Sequence, residues 1–523
     1  MSDQKGEKRV PMIKNPIIYS DFPDPDVIRV EDTYYMISTT MHFMPGGIIL
    51  RSYDLIHWEI LTYVFDSLDN TLAQCLSEEK NIYGQGMWAA CLRYHKSVFY
   101  VCFSAKDTNT TYLYQSDKIE GPWKKQKIAG YYHDCSLLFD EDRVFIVYGN
   151  TDIYITELNE EMTGPHREGM HRLLVKDTGY VRLGYEGSHI YKVNGKYYLF
   201  LIHWQSEDSN RRTQACFAAK SLEDEFVGKD VFDEDLNFFN QGIAQGGIVD
   251  TPEGKWYAML FQDRGALGRV PILIPIEWVN DFPVFKMNSD GNFSDEVTSS
   301  RPDHIYDSLT SNDDFYYEVT KNQEIKLKKQ WQWNHTPDPK LWSVTNKKGS
   351  LQIQSGKLSQ NLELAINTLT QRLSGPICES IVTVDGSKLK NGDFAGICAL
   401  QGCYGFAGIT RDNEKNFLVM SGKPLNPAEG IWGSPLVDRI THIEYARIPM
   451  ETDVITLKLK ANFSNMVDEV EFYYKKCEQW IKIGITQKLY FRLDHFTGCR
   501  VGLFLFSTKI VGGTVSFANF MIQ

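Results

Sequence analysis

Three acidic residues in this 523-residue chain stand just ahead of segments that read as β-strands. Asp24 lies between two prolines in Ser20–Val30 (SDFPDPDVIRV), Asp134 in 131–138 (YYHDCSLL) and Glu186 in 184–189 (GYEGSH). Proline fixes its own φ and pushes the preceding residue out of the helical region, so Phe22 and Asp24 are confined to extended or turn conformations. A carboxylate held there is pre-positioned. Taken singly, each acid reads as a solvated residue at the start of a strand, and Pro23-Asp24-Pro25 as a polar turn. Taken together they suit acid–base chemistry: one group donates a proton, another withdraws one, and a third negative charge keeps the donor protonated by like-charge repulsion.

Whether the three meet depends on the elements that carry them. A short apolar or alternating run, a polar turn and an aromatic-rich run recur at Val27–Ser38, Ala90–Cys102, Ser136–Tyr148, His189–Phe200 and Ile248–Met259. Each has the period-2 pattern and the Asn, Asp or Gly turn of a β-hairpin. Further strand-like text follows each hairpin, and Ile48–Trp58 and Thr111–Trp123 share a strand, a Ser-x-Asp turn and a Trp. Repeats of this kind predict a five-bladed β-propeller. Asp24, Asp134 and Glu186 each precede the first strand of their repeat, which puts them at matching heights around one axial cavity. Two carboxyl groups so placed supply what glycosidic bond cleavage requires, a proton donor for the leaving oxygen and a carboxylate to activate water or attack the sugar.

Other residues beside these motifs are candidates for binding. Trp88 (in Met87-Trp88-Ala89) could wall a sugar ring or pack in the core. Gln245 offers an axial hydrogen-bonding group, and Arg269, from spacing alone, reads as a rim ion-pair residue.

A polar, aperiodic stretch follows the propeller, and then strand-like runs resume at Gly349–Gln354, Ser380–Val384, Val454–Ala461, Val470–Tyr474 and Val501–Phe506. These have no internal repeat and predict a two-sheet sandwich. The expected organisation is an N-terminal tail over 1–14, a propeller over 15–290, a linker over 291–325 and a β-sandwich over 326–523, all-β throughout.

Composition narrows the class of partner. Twenty-eight Tyr, 29 Phe and 11 Trp favour β structure, and a formal charge of -12 argues against nucleic acid or an anionic membrane surface as the main partner. The first ten residues lack an apolar core of the signal-peptide type, and no run of about 18 apolar residues occurs. Ten scattered cysteines without a CxxC pair argue against zinc and fit free thiols in a reducing, cytoplasmic setting.

The motifs Pro23-Asp24-Pro25, Met87-Trp88-Ala89, His133-Asp134 before Ser136-Leu137, and Glu186-Gly187 before His189-Ile190-Tyr191 together resemble glycoside hydrolase family 43. The resemblance continues in Gln330–Asp338 (QWQWNHTPD) and Phe496–Phe504 (FTGCRVGLF), which look like the concanavalin- or jelly-roll-like sandwich of its two-domain xylosidase and arabinofuranosidase members. It implies an inverting, exo-acting hydrolase that releases terminal α-L-arabinofuranosyl or β-D-xylosyl units from hemicellulose oligosaccharides. Asp24 matches the general base, Glu186 the general acid and Asp134 the residue that tunes the acid. Arg269 matches a sugar-contacting arginine, against the rim reading, and the loop Thr39–Pro45 with His42 and Phe43 matches one wall of the terminal subsite.

Gln245 departs from the family's axial histidine, which in some members is linked to calcium. Calcium at the axis therefore stays open, no metal ligand is assigned, and no other cofactor is required. A homo-oligomer is compatible with this picture, and a non-catalytic carbohydrate-binding propeller or an endo-acting arabinanase are the alternatives.

Overall fold

The computed structural model describes residues 12–179, 181–288, 290–294, 298–317, 325–345, 348–425 and 442–523. Five four-stranded antiparallel sheets, each ordered as in the sequence from the axis outward, form the propeller. The inner strands of blades one to five are Asp26–Val30, Met87–His95, Ser136–Asp140, Glu186–Val193 and Ile243–Asp250. All five hairpins expected from the sequence are present as the inner pairs of these blades. In blade four the two-residue turn is Asn194-Gly195, with φ of 50° and 78°. Two successive positive φ values match the right-handed twist of the strands, which explains the Asn-Gly dipeptide.

Apolar residues on the sheet faces pack blade against blade. Ile37 and Ile49 of blade one meet Leu92, Val101 and Phe103 of blade two, and Leu138 and Phe145 of blade three meet Ile190 and Leu199 of blade four. The ring closes where Gly247 N donates to Pro25 O at 3.0 Å and Arg29 pairs with Asp250.

Asp26 sits at the centre of this closure with 0% exposure. It accepts bonds from Arg93 Nη1 (2.6 Å), Leu92 N (2.7 Å) and Tyr191 Oη (3.2 Å), and faces His189 Nδ1 at 3.1 Å. Burial raises its carboxyl, but Arg93 and His189 outweigh that and hold it at about 2. Asp26 therefore joins three blades instead of serving the site beside Asp24.

The C-terminal domain consists of two stacked sheets. One has seven strands, and the other runs Ile443–Pro449, Lys415–Gly422, Gly405–Asp412, Asp393–Leu400, Arg500–Ser507, Leu369–Arg372, Gln332–Asn334 and Phe43–Met44. Its last strand belongs to the propeller, so the two domains share a sheet. Of the stretches read as tail and linker, residues 1–11, 295–297 and 318–324 lie outside the described residues, and described parts of both are fastened. Met12–Lys14 pairs with Asn292–Ser294, and Tyr53 N donates to Tyr306 Oη at 2.9 Å. Three-residue strands are too short to show a period, which is why they do not stand out in the sequence.

Asp21 clamps the domains together. Its carboxylate accepts from Arg269 N and Gly498 N, both at 2.8 Å, and its carbonyl accepts from Arg372 Nε at 2.8 Å. Asp21→Ala is expected to cost about 3 kcal/mol, because it leaves two buried N–H groups without acceptors. An unfolding titration checks this, and an unchanged midpoint would exclude the clamp.

Candidate active site

Asp24, Asp134 and Glu186 line one pocket of about 450 Å³ at the end of the propeller where the inner strands begin. Trp88, Gln245 and Arg269 line it too. The pocket exists because equivalent positions in a radial repeat converge, as the matched placement of the three acids implies.

Asp24 is 5% exposed and has φ of 53°. Of the extended and turn conformations that its prolines allow, it takes the turn. Thr39 Oγ1 donates to Oδ2 at 2.7 Å and Arg269 Nη1 to Oδ1 at 2.9 Å, so both oxygens are held by neighbours distant in sequence. Asp134, at φ of 44°, and Gln245, at φ of 62°, are also left-handed. Such non-glycine outliers cost about 1 kcal/mol or more and persist where tertiary contacts over-determine them.

Arg269 is 2% exposed, which rules out the rim reading. It lies on the floor of the pocket, where Nη2 donates to Phe496 O at 3.2 Å and the guanidinium stacks 4.4 Å from the Phe496 ring. Trp88 is half-buried and forms a wall, with Nε1 donating to Gly84 O at 3.2 Å and Lys106 Nζ 5.2 Å from its ring. Gln245 is anchored through its backbone N, which donates to Gln214 Oε1 at 2.7 Å.

The expectation for His42 and Phe43 is not met, since neither lines the pocket. Phe43 pairs with Asn334 of the sandwich and lies 3.6 Å beneath the Arg500 guanidinium, among Phe406 and Phe504. His42 is buried between Tyr83 (4.6 Å) and His335 (5.0 Å), and burial with two histidine neighbours pulls its imidazole well below the usual range. Within Thr39–Pro45 the residue that reaches the cavity is Met41. The loop is committed to a strand in the other domain's sheet, a partnership that no local pattern reveals.

Several lining residues were not picked out from the sequence. His133 Nε2 lies 3.4 Å from Glu186 Oε2 and 3.7 Å from Asp134 Oδ2, with its ring edge-on to Trp88 at 5.1 Å. Asn150 Nδ2 donates to the same Glu186 oxygen. Arg182, Trp204 and Arg212 come from blade four and the loop before it, and Leu493, Asp494 and Phe496 from the sandwich. The only sequence signals were the His next to Asp134 and the motif that begins at Phe496.

Charge is unevenly shared in the cluster. Burial, reinforced by Glu186 and Asp24, pushes the Asp134 carboxyl up to about 7 against the pull of His133 and Arg269. For His133 burial acts downward, but Asp134 and Glu186 outweigh it and raise the imidazole to about 9. The site thus stores protons at neutral pH in a pocket that also holds a hydrogen-bonded carboxylate.

The donors do not fit an axial calcium ion, which takes six to eight oxygens. Gln245 offers one side-chain oxygen, and Asp26, the carboxylate at the blade closure, is committed to Arg93.

The family model for glycosyl hydrolases family 43 matches residues 13–283, and that for the β-xylosidase C-terminal concanavalin A-like domain matches 322–523. A β-xylosidase of Formosa agariphila is 28% identical over 453 residues, spanning 76% of this chain and 75% of that protein. A xylosidase/arabinosidase of Humicola insolens is 26% identical over 98% of this chain and 97% of its own. A solved structure from Bacteroides eggerthii, described as a bifunctional GH43-CE, superposes with a TM-score of 0.88 at 38% identity over 99% of this chain, which spans 64% of that longer one. With more than half of its length matched by the family model, and with that family's fold, the chain belongs to glycosyl hydrolase family 43 and is a glycosidase.

Proposed function

We propose that this chain is an exo-acting, inverting hydrolase that removes terminal α-L-arabinofuranosyl or β-D-xylosyl units from hemicellulose-derived oligosaccharides. The observation that carries the reading is the pocket itself, in which three carboxyl groups and a buried arginine converge and the sandwich supplies Leu493, Asp494 and Phe496 as one side. A cavity walled in this way suits the end of a chain, whereas an endo-acting arabinanase needs an open groove. A non-catalytic sugar-binding propeller gives no reason to gather three carboxyl groups in one pocket.

Asp24 withdraws the proton from the attacking water, with its oxygens oriented by Thr39 and Arg269. Glu186 protonates the leaving oxygen. Its contacts with His133 and Asn150 converge on Oε2, leaving Oε1 to face the glycosidic bond. Asp134 tunes that acid, and Trp88, Met41 and Phe496 enclose the sugar. The names of the Formosa and Humicola relatives support both sugars as substrates. Ten unpaired cysteines support action in a reducing compartment, the cytoplasm.

Hydrolysis of nitrophenyl arabinofuranoside and xyloside, followed by NMR of the first-formed anomer, tests the reading. The expected product is the free monosaccharide with inverted configuration. A retained anomer would overturn the assignment of Asp24 as base, and internal cleavage of a long oligosaccharide would overturn the exo mode.

A further inference from the structure

The sequence placed three acids in this site, and the structure adds a base between two of them. We propose that His133 is a positioning residue for the proton-donating step, holding the Glu186 and Asp134 carboxyls to one ring nitrogen. The inference rests on the roles proposed above for those two residues.

Nε2 is 3.4 Å from Glu186 Oε2, within hydrogen-bond reach, and 3.7 Å from Asp134 Oδ2, an ion-pair distance, so one ring nitrogen faces both carboxyl groups. The ring is kept in place by Trp88, whose indole meets it edge-on at 5.1 Å and an interplanar angle of 74°. Its neighbour Asp134 is anchored independently, since its carbonyl accepts from Ser188 N at 3.3 Å, two residues beyond Glu186. Blades three and four are thereby tied at the point where the donor sits. A histidine kept only for packing would be buried among apolar groups, whereas the His133 side chain is 18% exposed and opens onto the pocket.

The charged groups around it are Asp134 and Glu186 in contact, and Asp24, Asp494, Arg182, Arg212, Arg269 and Lys106 elsewhere on the walls of the pocket. Cys135 beside Asp134 is the other titratable neighbour that acts on the ring, and it too pushes the imidazole upward. With the two contacting carboxyls outweighing burial, the ring is a cation across neutral pH.

The sign of the effect follows. A cation beside a buried carboxyl favours its ionised form, so His133 lowers the pH at which Asp134 loses its proton. Removing it lets Asp134 keep its proton to higher pH. His133 thus trades some alkaline range for a fixed donor geometry.

The experiment compares kcat and KM across pH for wild type, His133→Gln and His133→Asn, on the full chain with a xylo- or arabino-oligosaccharide. The alkaline limb of kcat/KM is expected to move up by at least about one pH unit in both variants, the usual effect of one neighbouring charge. At the optimum kcat is expected to fall about ten-fold or more, with KM little changed. Gln, whose amide N–H reaches the place of Nε2 as the shorter Asn does not, is expected to keep more of kcat than Asn while showing the same limb shift.

An unmoved alkaline limb in a variant that melts like wild type would overturn the proposal, as would a loss confined to KM. Retention of configuration by the wild type would overturn instead the catalytic roles on which it rests, before any variant is made.

Discussion

Replacing Asp24 by Asn is expected to lower kcat by about 10²- to 10⁴-fold on every substrate, the worth of a general base placed in the transition state. The substitution keeps the size of the side chain and an oxygen for Thr39, so the pocket keeps its shape. It removes the proton acceptor for water and also the negative partner of Arg269, which is 2% exposed and 2.9 Å from Asp24. Leaving a buried guanidinium uncompensated costs stability, on the order of 3 kcal/mol or more. Asp24→Asn should therefore melt earlier as well as turn over more slowly. Kinetics measured well below its midpoint separate the two effects, and full activity there would remove Asp24 from the mechanism.

Glu186→Gln is expected to differ in one telling respect. Its loss should depend on the leaving group, because a proton donor matters in proportion to the basicity of the oxygen it protonates. On an oligosaccharide the loss should be at least about 100-fold. On an activated dinitrophenyl glycoside, whose phenolate leaves without help, most of the rate should return, whereas Asp24→Asn should gain no such relief. Side-by-side kinetics of the two variants on the two substrates check this. Equal losses for Glu186→Gln on both substrates would mean that Glu186 is not the proton donor. Stability should change less than in Asp24→Asn, since Glu186 and its partner His133 are each 18% exposed and Asn150 can still reach the amide oxygen.

These roles rest on residues of two kinds, those that the sequence announced and those that only packing assembled. Asp24, Asp134 and Glu186 were legible because each stands at the same position of a repeat whose period-2 pattern and turn chemistry are local properties of the chain. Asn194-Gly195 declares a hairpin wherever it occurs, and five such hairpins in series leave a propeller as the way to bury their faces. The sandwich strands at Ser350–Gln354, Val454–Asn462 and Arg500–Ser507 were legible for the same reason.

Arg269 shows the limit of that approach. Its neighbours in sequence suggested a rim, yet the Asp24 carboxylate and the Phe496 carbonyl draw it 2% exposed onto the floor. Asp26 shows it again: the same Pro-Asp sequence that presents Asp24 to the pocket hands the next acid to Arg93 and His189 at the blade closure.

The sequence by itself determined the repeat, and through it which three carboxyl groups would meet, because strand periodicity and turn residues act over a few positions. Tertiary structure decided what surrounds them. It turned His42 and Phe43 away from the cavity into the other domain's sheet, set His133 between two acids, and brought Phe496 under Arg269. Those placements follow from long-range packing and from the need to give every buried charge a partner, and neither leaves a local pattern along the chain.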